Sequence, residues 1–318
     1  LWGTAWWFVA RQPGPEQTRR YSSGWIILAL TFGVGISGAR GWAQWSNFFD
    51  GRLYTDYGAG EWTPIPEVYG FLWLFIAGVP WAGIGACMLA WCGTDRRTSV
   101  WQWGLRIACG VGGVLVARWL FDAFPGWFLP LYDSMAAQYQ DLSANPNLGR
   151  LINDNRAAIS HLGLYLGFVF FEAARRDRSN VVLILTVGLV NGLGWALLQN
   201  WSWAGDIWPD ARFNWWRCWE SSGGISMGVA YGAAYYLVNR GRLHDGENKA
   251  FAWNPRPNLE RFGVYFGLLL GLGLSVRSGL KGWANLYLGN EDYWSGVLWT
   301  IVGPVLLLVL VLLAVRIR

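Results

Sequence analysis

The stretch VYGFLWLFIAGVPWAGIGACMLAWCGTDRR, residues 68–97, decides the fold. Residues 68–92 carry no charge, and Arg96 and Arg97 follow closely. A helix needs about 20 apolar residues to cross ~30 Å of hydrocarbon, and this run supplies them. The basic pair at its end gives the direction, because short Lys/Arg-rich connections stay on the cytoplasmic side.

The same arrangement recurs on both sides of this stretch. Apolar runs at 23–40, 102–124, 157–174, 181–199, 219–238, 262–281 and 294–315 join it to give eight predicted spans. Basic clusters stand at every second connection: Arg19/Arg20, Arg96/Arg97, Arg175/Arg176/Arg178, Arg240/Arg242 and Arg316/Arg318. The intervening connections carry mostly acids and tryptophans. The pattern predicts an all-α integral membrane protein of about eight transmembrane helices arranged as repeated helical hairpins. It places the C-terminus in the cytoplasm and suits a bacterial inner or cytoplasmic membrane. Residues 1–22 read as the tail of a preceding span and a cytoplasmic linker, because LWGTAWWFVA opens mid-element. Residues 23–238 read as a six-helix membrane unit, 239–261 as a cytoplasmic linker and 262–318 as a two-helix hairpin.

Charge and composition narrow the function classes. The formal net charge is +5. The proposed inner side carries most of the 25 basic residues, and the outer side carries most of the 20 acids. The excess therefore reflects topology and anionic lipid headgroups. Apolar spans interrupt every basic cluster, so no contiguous basic surface for nucleic acid is predicted. Expected partners are membrane lipids and other membrane subunits. Two histidines, His161 and His244, make no metal or haem set, and one outer cysteine, Cys218, has no outer partner. Walker A, HExxH, CxxC and GxSxG patterns are missing. No cofactor and no metal is predicted.

Internal similarity supports repetition. The odd spans run from glycine pairs to a Trp-rich polar exit, as in GVGISGARGWAQW (33–45) and GLGLSVRSGLKGWANL (271–286). That match aligns Arg40 with Lys281 and Trp42 with Trp283. Gly163-x-x-x-Gly167, Gly228-x-x-x-Gly232 and Gly267-x-x-x-Gly271 place two glycines on one helix face, which lets helix backbones approach closely.

The candidate chemistry lies at the outer ends of the helices. Arg40, Arg118, Arg277 and Lys281 sit where the positive-inside rule disfavours them. They could converge on a phosphate or carboxylate, or they could pair with acids and reach the headgroups. Arg118 and Asp122 stand at i and i+4 and are expected to pair. Glu220, beside Arg217, and Asp50 and Asp56 are candidate general bases or acids. The acids before the even spans, Glu67, Asp154, Glu220, and Glu291 or Asp292, could equally cap helix N-termini. Tryptophan is abundant, at 25 residues. An interfacial belt accounts for many of these, and a flat surface for a sugar is the alternative use for Trp42 and Trp283.

The loop FFDGRLYTDYG (48–58) resembles the first-loop acidic motif of polyprenyl-phosphate-sugar glycosyltransferases. The likeness covers this loop alone and implies acids acting on a lipid-linked sugar at the outer face. Three readings remain open. The first is an enzyme or binder handling a glycan or lipid-linked anionic substrate. The others are a structural or assembly subunit and a secondary transporter. The last expects polar groups at the bilayer midplane, where only Asn191 and His161 stand.

Overall fold

The computed structural model describes residues 1–10, 20–37, 42–94, 96–211, 214–244, 257–288 and 298–316. Helices dominate. They are α1 (Trp2–Ala10), α2 (Ile26–Ile36), α3 (Trp42–Phe49), α4 (Val68–Gly93), α5 (Val100–Ala123) and α6 (Ala136–Gln140). After them come α7 (Pro146–Ala174), α8 (Arg178–Leu198), α9 (Trp201–Ile207), α10 (Trp215–His244), α11 (Pro257–Leu288) and α12 (Gly303–Arg316). Among the described residues one small hairpin, β1 (Arg52–Asp56) with β2 (Glu61–Pro64), accompanies the helices.

Five helical segments among the described residues are long and apolar enough to cross a membrane: Val68–Gly93, Val100–Ala123, Pro146–Ala174, Arg178–Ile207 and Asn258–Gly282. They give the chain multi-pass character and point to a membrane location. Five of the eight predicted spans thus meet both conditions. Ile26–Ile36 and Thr300–Val309 are apolar but shorter. Helix α10 has the length, but it opens on Arg217, Glu220, Ser221 and Ser222, which dilute its apolar character. Helix α7 starts at Pro146, well before the predicted 157. Its polar first turns stay helical because they bury Leu148, Leu151, Asp154 and Asn155.

The chain forms two compact units. The smaller comprises Leu1–Phe32, Met88–Arg96 and Asn239–Arg318. In it Trp7, Ile27 and Leu268 form a small buried cluster. The Gly267 pair is a true packing face here: a Cβ at Gly267 would meet Ile27 Cβ at 2.9 Å and the Leu28 backbone nitrogen at 3.0 Å. Glu260, in the first turn of α11, accepts from the Ser23 hydroxyl and from the Gly24 backbone N–H.

The larger unit comprises Gly33–Cys87 and Arg97–Val238. Its core is rich in buried tryptophan: Trp45, Trp73, Trp195 and Trp219 lie within it. Trp45 stacks on Trp73 and Trp195 on Trp219. Helices α5 and α7 run antiparallel and cross at glycine. A Cβ on Gly163 would run into the Gly113 carbonyl, one on Gly113 into the Gly163 carbonyl, and one on Gly167 into the Cys109 carbonyl. Without side chains at the crossing, dispersion between the two backbones holds the helices, as expected where lipid removes the hydrophobic drive. The Gly228 pair behaves differently, since nothing lies within 4 Å of a Cβ at Gly232.

Candidate functional site

The predicted polar residues of the larger unit gather at the end that carries the β-hairpin. The chain reaches it through α3. The Asp50 backbone N–H closes α3 onto the carbonyls of Ser46 and Asn47 at 3.3 and 3.1 Å. Gly51 follows at φ +73, a left-handed conformation that a side chain would strain, and so turns the chain into β1. In the hairpin Leu53 pairs with Thr63 and Tyr54 with Trp62. Leu53 and Thr55 point into the core and Arg52 and Tyr54 away from it, following the period of two of a strand.

Asp50 itself is exposed. Partial burial by the surrounding protein raises the pKa of its carboxyl above the ordinary value; Arg52 opposes the shift, and Asp206 and Glu67 add to it. Tyr57 lies close by. Burial pushes its phenol up to about 12, with Tyr54 and Asp50 raising it and Arg150 lowering it. Tyr57 stacks on Tyr54 with ring centroids 4.4 Å apart. The Arg52 guanidinium sits 5.3 Å from the centre of the exposed Trp62 ring. The hairpin and the turn leading into it therefore offer a carboxyl of altered acidity near flat aromatic faces.

The other candidate acids are committed to structure. Asp56 Oδ1 accepts from the Gly58 N–H at 2.6 Å and the Ala59 N–H at 3.3 Å, which closes the hairpin turn. Glu220 is the sixth residue of α10 and pairs with Arg217 Nη1 at 2.5 Å. Asp154 lies in the third turn of α7, buried, 3.6 Å from Arg150 Nε. Neither Glu220 nor Asp154 stands at a helix N-terminus, so the capping role considered for them does not apply.

The expected Arg118–Asp122 pair is not formed. Arg118 Nε donates to Ser160 Oγ on α7 at 3.1 Å. Asp122 pairs instead with Arg156, also on α7. The glycine crossing explains both. It brings α7 so near α5 that each charged side chain finds a partner across the groove sooner than one along its own helix.

Arg277 and Lys281 are exposed on α11, in the smaller unit. Arg40, Glu291 and Asp292 lie outside the described residues. Trp42 and Trp283 belong to α3 and α11, and their side chains also lie outside the described part.

Two groups escaped the sequence reading. Asp206, which acts on Asp50, comes from α9, far away in the chain, and only folding brings it near. The second lies at the opposite end of α5 and α7. Arg106 Nη2 and Glu172 Oε1 pair at 2.7 Å with both side chains fully buried, and Asn180 Nδ2 donates to Glu172 Oε2 at 2.9 Å. Arg106 also lies over the rings of Trp103 and Phe171. The signal was available, since Arg106 is a charge inside a predicted span and such charges need a named partner.

Buried polar contacts hold the hairpin end together. Trp45 Nε1 donates to Asn155 Oδ1, and Asn155 Nδ2 donates to the Phe128 carbonyl. Gln199 Nε2 donates to Ser46 Oγ, and Asn191 Nδ2 in mid-helix donates to the Gly78 carbonyl. Among the described residues no group of three or more His, Cys, Asp or Glu is placed to hold a metal ion. No protein-family model matches the chain, and no curated protein or solved structure does either.

Proposed function

We propose that this chain is a multi-pass protein of a bacterial cytoplasmic membrane whose hairpin end faces outward and handles a glycan or lipid-linked anionic glycan. The reading includes eight spans built as repeated hairpins, with the C-terminus in the cytoplasm. One observation carries it: Asp50, exposed and shifted toward protonation, stands beside Glu67, Asp206 and the Tyr54–Tyr57 stack. A carboxyl of raised pKa can donate a proton to a leaving oxygen, while a second, ionised carboxylate acts as base or stabilises positive charge. Aromatic faces bind the apolar side of a sugar ring without specifying its hydroxyls. In this reading Asp50 is the proton donor, Glu67 or Asp206 the second carboxylate, and Tyr57 and Trp62 the platform.

The test is binding of a panel of cell-envelope oligosaccharides, free and polyprenyl-linked, to the purified chain in lipid nanodiscs. Wild-type protein should bind at least one. Trp62→Ala and Tyr57→Ala should weaken binding about tenfold, or ~1.4 kcal/mol. Asp50→Asn should abolish turnover and leave binding in place. Absence of binding across the panel would end this reading.

A second reading, an assembly subunit, has its own support. Gly104, Ala108 and Gly112 form one row on α5, and nothing lies within 4 Å of a Cβ at Gly104 or Gly112. A row of small residues suits close docking of another subunit's helix. Gly112→Ile should then break up a larger complex on native gels and leave glycan binding unchanged.

A further inference from the structure

We infer that Arg118 and Ser160 form a binding site for the phosphate of an amphiphile whose hydrocarbon chain lies along α5. The inference deepens the proposed function and rests on the hairpin end lying at a membrane face.

The crossing of α5 and α7 builds the site. From Gly113, at the crossing, Arg118 lies five residues on, and from Gly163 Ser160 lies three residues back. In an antiparallel pair these steps lead to the same end and bring the two side chains together. Ser160 donates its hydroxyl proton to the Arg156 carbonyl at 2.7 Å, which turns its oxygen lone pairs toward Arg118 Nε. The guanidinium is thereby held by its inner nitrogen, and its two terminal nitrogens, which no described residue engages, are left for an external acceptor. A planar fork fixed in this way suits two phosphate oxygens.

The local charge is unbalanced. Arg156 and Asp122 neutralise each other, whereas Arg118 has no carboxylate within ion-pair distance among the described residues. A cation at the end of a membrane span without a protein counter-charge needs one from outside. The surface beside it says which kind. Val111, Leu115 and Arg118 follow one face of α5 at helical spacing, and Val111 and Leu115 are 50% and 62% exposed. Trp119, 63% exposed, adjoins them, as an aromatic at an interface would. A soluble anion would gain nothing from this apolar track, and a phosphate carrying a hydrocarbon chain would fill both parts. The lipid can be an ordinary anionic phospholipid or a polyprenyl phosphate, and both present the same phosphate and chain.

The experiment is native mass spectrometry of the full chain released from detergent after equilibration with phosphatidylcholine, phosphatidylglycerol and a polyprenyl monophosphate at equal concentration. The anionic lipids should be retained about tenfold over phosphatidylcholine, and Arg118→Gln should abolish that preference. A polyprenyl phosphate retained above phosphatidylglycerol identifies a carrier-lipid site; the reverse order identifies a phospholipid site. Ser160→Ala frees the fork and should cost about threefold. If Arg118→Gln fails to fold, Ser160→Ala and Arg118→Lys carry the test. Wild-type lipid preference in the folded variants, or no preference in the wild type, overturns the site. Loss of glycan binding with Arg118-dependent lipid binding intact would remove only the proposed function.

Discussion

The two ends of the α5–α7 pair solve the same problem in opposite ways. At one end Arg106 and Glu172 are sealed from solvent, with Asn180 satisfying the second carboxylate oxygen and aromatic rings covering the guanidinium. At the other end Arg156 and Asp122 pair across the same groove with side chains 44% and 54% exposed. The geometry is alike, since both pairs join α5 to α7, but the dielectric differs. A sealed charge depends on its partner, because water cannot replace it. An exposed pair exchanges water for a partner at little net gain. The first pair is therefore part of what holds the helices in register. The second leaves its end of the groove open to water.

Breaking the sealed pair should give the largest effect. Glu172→Ala leaves Arg106 buried and uncompensated and should cost about 3–5 kcal/mol. Thermal unfolding in detergent, read alongside the yield of monodisperse protein, checks it. A loss no greater than that of Asp122→Ala would erase the contrast between the ends.

Filling the crossing should come next. Gly163→Leu forces a side chain into the Gly113 backbone, and overpacking of this type costs about 1–3 kcal/mol. Because the crossing also positions Arg118, the variant should lose anionic-lipid preference even where it remains folded. Gly232→Leu, placed in open space, is the matched control and should be tolerated.

Asp122→Asn should change stability by no more than about 1 kcal/mol, and the change should shrink as salt is raised from low ionic strength. A loss that does not respond to salt would mean that the open end is sealed after all, by lipid or by a partner.

The smallest effect concerns Asp50. Its folded pKa is raised, so the folded state holds the proton more tightly than the unfolded chain. The stabilisation is fully present below the ordinary carboxylate value and is lost as pH rises through the raised value. Asp50→Asn should flatten that part of the stability profile and leave the neutral region slightly more stable. Melting temperatures across the acidic range test this, and an unchanged profile would show that Asp50 is as well solvated as a free carboxylate.

Much of this arrangement was legible beforehand, and its limits follow a pattern. The membrane class follows from long uncharged runs, because unsatisfied backbone in lipid leaves helix as the economical choice. The Gly163 and Gly267 faces were legible because glycine spacing is a local property. Pairing was not. Arg118 and Asp122 share a face at the correct spacing, yet α7 offers each a nearer partner. Helix starts were misjudged where polar turns continue a helix beyond its apolar part, as in α7 and α10. Trp45 and Trp219, which their positions at span ends assign to an interfacial belt, serve instead as core.

By itself, the sequence determined that several helices are apolar over a membrane's thickness, which glycine faces allow close approach, and where charge interrupts a span. These depend on neighbours within a turn or two of the chain, so they are written locally. The tertiary structure alone decided which charges are sealed and which stay open, that Asp206 acts on Asp50, and that Arg118 has no acid partner among the described residues. Each of those depends on which helix fills the space beside a side chain. In the α5–α7 groove that was settled by the contact of two glycines fifty residues apart, Gly113 and Gly163.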